Sequence, residues 1–158
     1  MPNDGPLEDG KMQAFNRRME ARNMAYRREM MTKPREWPPP EKTKKRWTSH
    51  GFECAVAMGT VAICGYIKLP ADHPYYGLWH HDISLDVHYG LTFSCKAVDG
   101  WWIGWDYGHA GDWIGFSYAE CGIEYEVPGK IWTVEDVTVE VEAAARELQR
   151  IQGERVAP

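Results

Sequence analysis

Asp99-Gly100 sits between two apolar runs, and this dipeptide leaves the flanking chain few options. Asp-Gly readily adopts the left-handed backbone of a two-residue hairpin turn. Residues 91–98 (LTFSCKAV) and 101–107 (WWIGWDY) are therefore expected to pair as antiparallel strands. A second pair lies upstream. Residues 52–58 (FECAVAM) and 61–69 (VAICGYIKL) are apolar and partly β-branched, with Gly59-Thr60 between them. Pro70 and Pro74 make residues 70–77 a loop. Residues 83–87 fit strand or loop, and residues 113–118 read as one more short strand.

The clearest helix comes last. Thr133 can cap it, and Glu135 and Asp136 fall in its first turn, where the helix dipole favours negative charge. Val137, Val141, Ala144, Leu148 and Ile151 recur at helical spacing, and Gly153 ends the element. These elements predict an α+β domain over residues 51–152: an antiparallel sheet of four or five strands with the C-terminal helix on one face. Residues 153–158 form a tail.

What precedes residue 51 differs in composition. Residues 1–10 hold two Pro and two Gly and are expected to be disordered. Residues 11–31 lack both and read as a basic amphipathic helix. Met12, Phe15, Met19, Tyr26 and Met30 form its stripe, which Arg22 interrupts; Arg17, Arg18, Arg27 and Arg28 lie on other faces. Residues 32–50, with Pro34, Pro38-Pro39-Pro40, Lys42, Lys44, Lys45 and Arg46, read as an extended Pro-rich basic linker.

The net charge of −5 conceals a separation. Residues 11–50 carry twelve Lys and Arg against four Glu, while residues 51–158 carry six basic against sixteen acidic groups. A basic arm on an acidic body suits nucleic acid bound through residues 11–50, with Arg17, Arg18, Arg22, Arg27 and Arg28 as contacts. It equally suits docking on the acidic body of another copy in a homo-oligomer, or a merely solvated face.

Other classes are excluded by simpler counts. At 158 residues there is room for one domain and its appendages. No apolar run approaches the roughly 20 residues of a membrane span, so no membrane partner is expected. The N-terminus lacks a secretory pattern. Four Cys (Cys54, Cys64, Cys95, Cys121) form no CxxC pair and read as reduced thiols of a cytoplasmic protein.

Candidate chemistry clusters in the middle of the chain. Five of the six His lie between His73 and His109, interspersed with Asp72, Asp82, Asp86, Asp99 and Asp106. Imidazoles and carboxylates together suit a divalent metal or an acid–base pair. His80-His81-Asp82 are consecutive and cannot all face one ion on a strand. His88, His109 and Asp112 could hold one if folding joined them; hydrogen-bonded loop histidines are the other reading. In residues 106–112 (DYGHAGD), Asp106 and Asp112 bracket a Gly-containing loop around His109. It reads as a ligand loop at a pocket walled by Trp101, Trp102, Trp105 or Trp113, or as a tight turn whose Asp side chains satisfy its backbone. Seventeen of the twenty aromatics fall between Trp47 and Trp132. On a strand, Trp101, Ile103 and Trp105 share one side and Trp102 takes the other, so both faces are aromatic. One face is expected beneath the C-terminal helix; the other needs a cover or a flat ligand. No GxSxG, HExxH or phosphate-loop motif is present.

Several segments resemble a family of small tailed-phage and prophage proteins. They are Cys64–Pro70 (CGYIKLP), His73-Pro74, Tyr76-Gly77, Asp86-Val87-His88, Gly90–Ser94 (GLTFS), Trp101–Asp106 (WWIGWD) and Gly108–Asp112 (GHAGD), followed by the C-terminal helix. The match spans about residues 60–150, outside the basic arm. Tyr89 stands where the family pattern commonly has Gly, and Tyr107 where it has Cys or a small residue. The resemblance implies a phage-encoded protein acting inside a bacterial host; it implies no reaction.

These readings converge on an accessory protein of the host cytoplasm that binds a host protein or a nucleotide-like ligand without a cofactor, with counter-defence as its setting. His88, Asp106, His109 and Asp112 would give polar contacts; Trp101, Trp102 and Trp105 would give stacking area. Two alternatives stand beside it. One is a hydrolase or nuclease with a divalent metal on His88, His109 and Asp112. The other is a virion or assembly component with an N-terminal arm.

Overall fold

The computed structural model describes residues 5–112 and 129–154. The short strand expected at 113–118, Trp113 and Cys121 lie outside the described residues. Five strands form one open antiparallel sheet: β1 (Thr43–Ser49), β2 (Phe52–Met58), β3 (Ile63–Leu69), β4 (Phe93–Ala97) and β5 (Gly100–Asp106), in the order β1-β2-β3-β5-β4. A long N-terminal helix, α1 (Gly5–Thr32), precedes the sheet, and α2 (Val134–Glu154) follows it. This is the expected α+β architecture.

A hairpin forms between β4 and β5, but its turn is shifted by one residue from the expected Asp99-Gly100: Ala97 pairs with Gly100, so Val98 and Asp99 make the turn and Gly100 opens β5, and Phe93 pairs with Gly104. β5 then pairs with β3, placing Gly104 opposite Tyr66 and Ile103 opposite Ile67. A Cβ on Gly104 would stand 2.3 Å from Tyr66 Cδ1 and 2.9 Å from the Gly65 carbonyl oxygen. The Tyr66 ring thus lies across the strand on the space glycine leaves. Gly104→Ala is expected to lose about 1–3 kcal/mol of stability in urea denaturation; an unchanged midpoint would show that the ring moves aside freely.

The aromatic strand divides as its alternation requires. Trp101, Ile103 and Trp105 join Phe52, Cys54, Val56, Ile67 and Leu69 beneath α2, against Val137, Val141, Ala144, Ala145 and Leu148. At the start of α2 the Thr133 hydroxyl accepts from the Asp136 amide at 3.1 Å, and Asp136 accepts from the Thr133 amide at 3.2 Å. This reciprocal cap satisfies two of the amides a helix start leaves unpaired. The helix runs one residue past Gly153, to Glu154.

On the other face, Trp102 packs with Ala55, Ala57, Cys64, Tyr66, Cys95, Ala97 and Met30, with Trp37, Trp79 and Phe93 at its margin. Arg46, Glu53, Lys68 and Asp99 form an ion network beside it. Asp99 also accepts from the Trp102 indole at 3.3 Å. Both faces of the sheet are therefore covered.

Three expectations about the N-terminal third are corrected. Helix begins at Gly5, within the stretch expected to be disordered. The stripe on α1 does not pack along its length: Met12, Phe15, Met19 and Tyr26 are exposed, and only Met30 is sealed against the body. Residues 32–50 are not a free tether. Pro38 is fully buried, Trp37 stacks on Phe93 at 4.5 Å, and β1 is an edge strand of the sheet. Its Lys44, Lys45 and Arg46 are exposed, which guards an open edge against pairing with other chains. His50 and Gly51, at φ +51° and +83°, make the two-residue turn into β2.

Two buried histidines are structural. His73 Nε2 donates to the Leu148 carbonyl at 3.0 Å, and its Nδ1 accepts from the Tyr75 amide, fixing the 70–77 loop on α2. His80 faces the Ser94 hydroxyl at 3.1 Å. Burial, with His81 and Arg27 nearby, pushes its pKa down to about 4. The folded state therefore resists protonation that the unfolded chain accepts. This contribution is complete above pH 6.5 and is expected to fall by roughly 2–3 kcal/mol as pH drops from there to about 4. Denaturation curves of wild type and His80→Gln across that window check it, since the variant lacks this slope. Among the described residues no helix is long and apolar enough to cross a membrane.

Candidate functional site

Beyond β5 the chain enters a loop whose shape is set by Asp112. Its side chain is nearly sealed and accepts three hydrogen bonds. His88 Nε2 donates to Oδ2 at 2.8 Å, the His109 amide to Oδ2 at 3.0 Å, and the Trp132 indole to Oδ1 at 2.7 Å. Burial alone would raise the Asp112 carboxyl, but these three donors hold it below the usual carboxylate range. Lys130 closes the assembly: its amide donates to the Gly111 carbonyl at 2.8 Å, and its ammonium lies 3.8 Å from the centre of the Trp132 ring.

Asp112 thereby brings three distant segments together. The His88 and His109 rings are 6.0 Å apart, centre to centre. His88 stacks on Tyr107 at 4.7 Å, and Tyr89 stacks on His109 at 4.5 Å. Tyr107 belongs to a buried chain in which the Trp105 indole donates to the Tyr107 hydroxyl at 2.9 Å, and that hydroxyl donates to Glu140 of α2. Burial and the Glu140 carboxylate raise the Tyr107 hydroxyl well above its ordinary value, so it stays protonated.

Asp106 lies on the other side of His109, with Oδ1 3.2 Å from His109 Nε2. The alignment does not make a hydrogen bond, and Nε2 is buried without one. Asp106 instead accepts from the Thr92 hydroxyl at 3.0 Å and the Gly108 amide at 3.2 Å.

The exposed part of this corner is Tyr89. It is a non-glycine residue at φ +55°, followed by Gly90 at +81°. A left-handed backbone costs a side-chain-bearing residue on the order of 1 kcal/mol, and such strain concentrates at functional positions. The residue is 62% exposed, yet its hydroxyl donates to the Ala110 carbonyl at 2.7 Å. An open cleft of about 590 Å³ runs beside it, lined by Asp86, Val87, His88, Tyr89, Glu140 and Ala143.

The expected site residues thus divide. His88, Asp106, His109 and Asp112 come together. Trp101, Trp102 and Trp105 do not join them as stacking surface: they are 3%, 0% and 1% exposed, because α2 covers one face of their strand and α1 with its following segment covers the other. The trio His88, His109 and Asp112 is drawn together by hydrogen bonding. Asp112 is turned inward onto His88 Nε2 and the Trp132 indole, and among the described residues no group of three His, Cys, Asp or Glu is arranged to hold an ion. Cys54 and Cys95 are buried, and desolvation pushes each thiol up to about 12, which leaves them poor nucleophiles.

Sequence reasoning missed Trp132, Lys130 and Glu140 as participants, and it noted Tyr89 only as a departure from a pattern. The adjacency of Tyr89 to Gly90 was the available signal, since a turn at that point needs positive φ. Arg17, Arg18, Arg22 and Arg28 project from the exposed α1. Arg27 lies against the body, 3.4 Å from Asp82 and above the Trp79 ring.

Comparison with protein-family models, with curated proteins and with solved structures gave no match.

Proposed function

We propose that this chain acts by binding a partner protein, with Tyr89, His88 and His109 as its recognition surface. The observation that carries this is Tyr89: a large aromatic held outward in a strained backbone, backed by a stacked imidazole and tethered through its hydroxyl. A rigid, amphipathic ring loses little freedom on binding, and such residues dominate protein interfaces. Asp86 and Glu140 line the adjoining cleft and would oppose phosphate, so a protein bearing a basic or neutral group fits better than a nucleotide. The resemblance to tailed-phage proteins supplies the setting, a bacterial host with counter-defence as the purpose. Catalysis finds less support, since the His88–Asp112 pair has no Ser or Cys nucleophile beside it among the described contacts.

Capture from a bacterial lysate tests the reading with three baits: wild type, Tyr89→Ala and Val98→Ala, the last a 71% exposed residue at the β4–β5 turn. A partner retained by Val98→Ala and reduced about ten-fold or more by Tyr89→Ala is the expected result. Equal capture by all three would remove the assignment. Calorimetric binding of ATP or GTP that His109→Ala abolishes would instead favour the nucleotide ligand.

A further inference from the structure

A second cavity lies on the face of the sheet away from α2, and the recognition surface does not use it. Its volume is about 380 Å³, within the range of small-molecule sites. Tyr26 of α1, Arg35, Trp37, Tyr66 of β3, Phe93 of β4 and Asp106 at the end of β5 bound it. Trp37 and Phe93 are stacked at 4.5 Å, and Tyr66 meets each edge-on at 5.5 Å. These contacts lock three rings into one aromatic wall.

The polar groups are unusual. Arg35 is fixed through its backbone, since its carbonyl accepts from the Val98 amide at 2.9 Å and it bridges Ala97. Among the described residues its guanidinium makes neither an ion pair nor a hydrogen bond, and its Nε is buried without an acceptor. The Trp37 indole N–H, two residues away, is likewise buried and unpaired. Both of these nitrogens are sealed from the cavity, whereas the two terminal nitrogens of Arg35 are unpaired and accessible, so the guanidinium is the donor that this lining offers an anion. The Asp106 carboxylate provides an acceptor elsewhere on the lining.

We propose that this cavity binds a flat aromatic carboxylate. The ring lies on the Trp37–Phe93–Tyr66 wall, the carboxylate takes the terminal N–H groups of the Arg35 guanidinium, and a ring N–H or amino group faces Asp106. A guanidinium matches a carboxylate in shape as well as charge. A purely apolar ligand would leave the guanidinium unpaired, and a polyanion would crowd Asp106. Because Tyr26 belongs to α1, the ligand also braces the base of the N-terminal helix against the sheet.

Indole-3-acetate is a suitable probe, with a carboxylate and a ring N–H far apart. Indole lacks the first and naphthalene-1-acetate lacks the second. Saturation-transfer NMR and calorimetry on the full chain are expected to show indole-3-acetate binding, with indole about ten-fold weaker and naphthalene-1-acetate measurably weaker. Arg35→Met should weaken the acid about ten-fold while leaving indole unchanged, and Arg35→Lys should recover part of the loss. No binding of the acid at millimolar concentration, or equal binding of acid and indole by wild type, overturns the proposal. So does a folded Arg35→Met that binds the acid as wild type does. The wild-type ligand series decides the matter even if Arg35→Met fails to fold.

Discussion

Trp105→Ala is expected to destabilise the protein by about 3–5 kcal/mol, the range for deleting a large buried aromatic. Trp105 is 1% exposed, packs in the core beneath α2, and donates its indole N–H to Tyr107. Its loss opens a cavity between sheet and helix and leaves the Tyr107 hydroxyl without a donor. Gly65 sharpens the effect, because a Cβ there would come within 3.0 Å of the Trp105 ring. The indole fills the space under that glycine, and little else can collapse into it. Urea denaturation monitored by circular dichroism measures the change. A loss below about 1 kcal/mol would mean that the ring sits at the surface, as a ligand-stacking role requires.

Asp112→Ala is expected to cost about 3 kcal/mol and to remove binding at the Tyr89 surface as well. The substitution strands three donors at once: His88 Nε2, the His109 amide and the Trp132 indole. The two effects have one cause, since the same carboxylate that stabilises the loop also sets the imidazoles side by side. Asp112→Asn should be milder, because its amide oxygen still accepts. The pH dependence has a definite sign. Asp112 is held below the usual carboxylate range, so its contribution is complete above roughly pH 4 and is lost as pH falls through its lower native value. Wild type should therefore lose stability in acid more steeply than Asp112→Asn. Parallel acid titrations of the two would contradict the role given to this carboxylate.

Much of the sheet was legible because local signals agreed with one another. Asp99-Gly100 marked the β4–β5 hairpin to within one residue, the turn falling on Val98-Asp99, and the spacing from Val137 to Leu148 gave α2 its buried face. The side-by-side indoles of Trp101 and Trp102 were correctly divided between faces by the pleat of a strand. What the pleat could not say is whether either face stays open. That depended on the segment around Trp37 and Pro38, whose prolines suggested a tether but whose rings fill the second face. β1 escaped notice for a related reason. An edge strand with Lys44, Lys45 and Arg46 in solvent shows no apolar alternation to read. The convergence of His88, His109 and Asp112 was a guess about distant segments, and the decisive contributor, Trp132, gave no local hint of reaching Asp112. Tyr89 was hidden by its type, since positive φ is read most easily from glycine.

One corner of the molecule is decisive: there Asp112 gathers two imidazoles, and an exposed tyrosine lies over one of them. Proton NMR on uniformly labelled protein tests this directly through nuclear Overhauser contacts among the aromatic rings. The expected result is strong contacts from Tyr89 to His109 and from His88 to Tyr107, with a slowly exchanging His88 Nε2 proton, all weakened by Asp112→Ala. Freely averaging Tyr89 and His109 rings, with no contact between them in the wild-type protein, would contradict it.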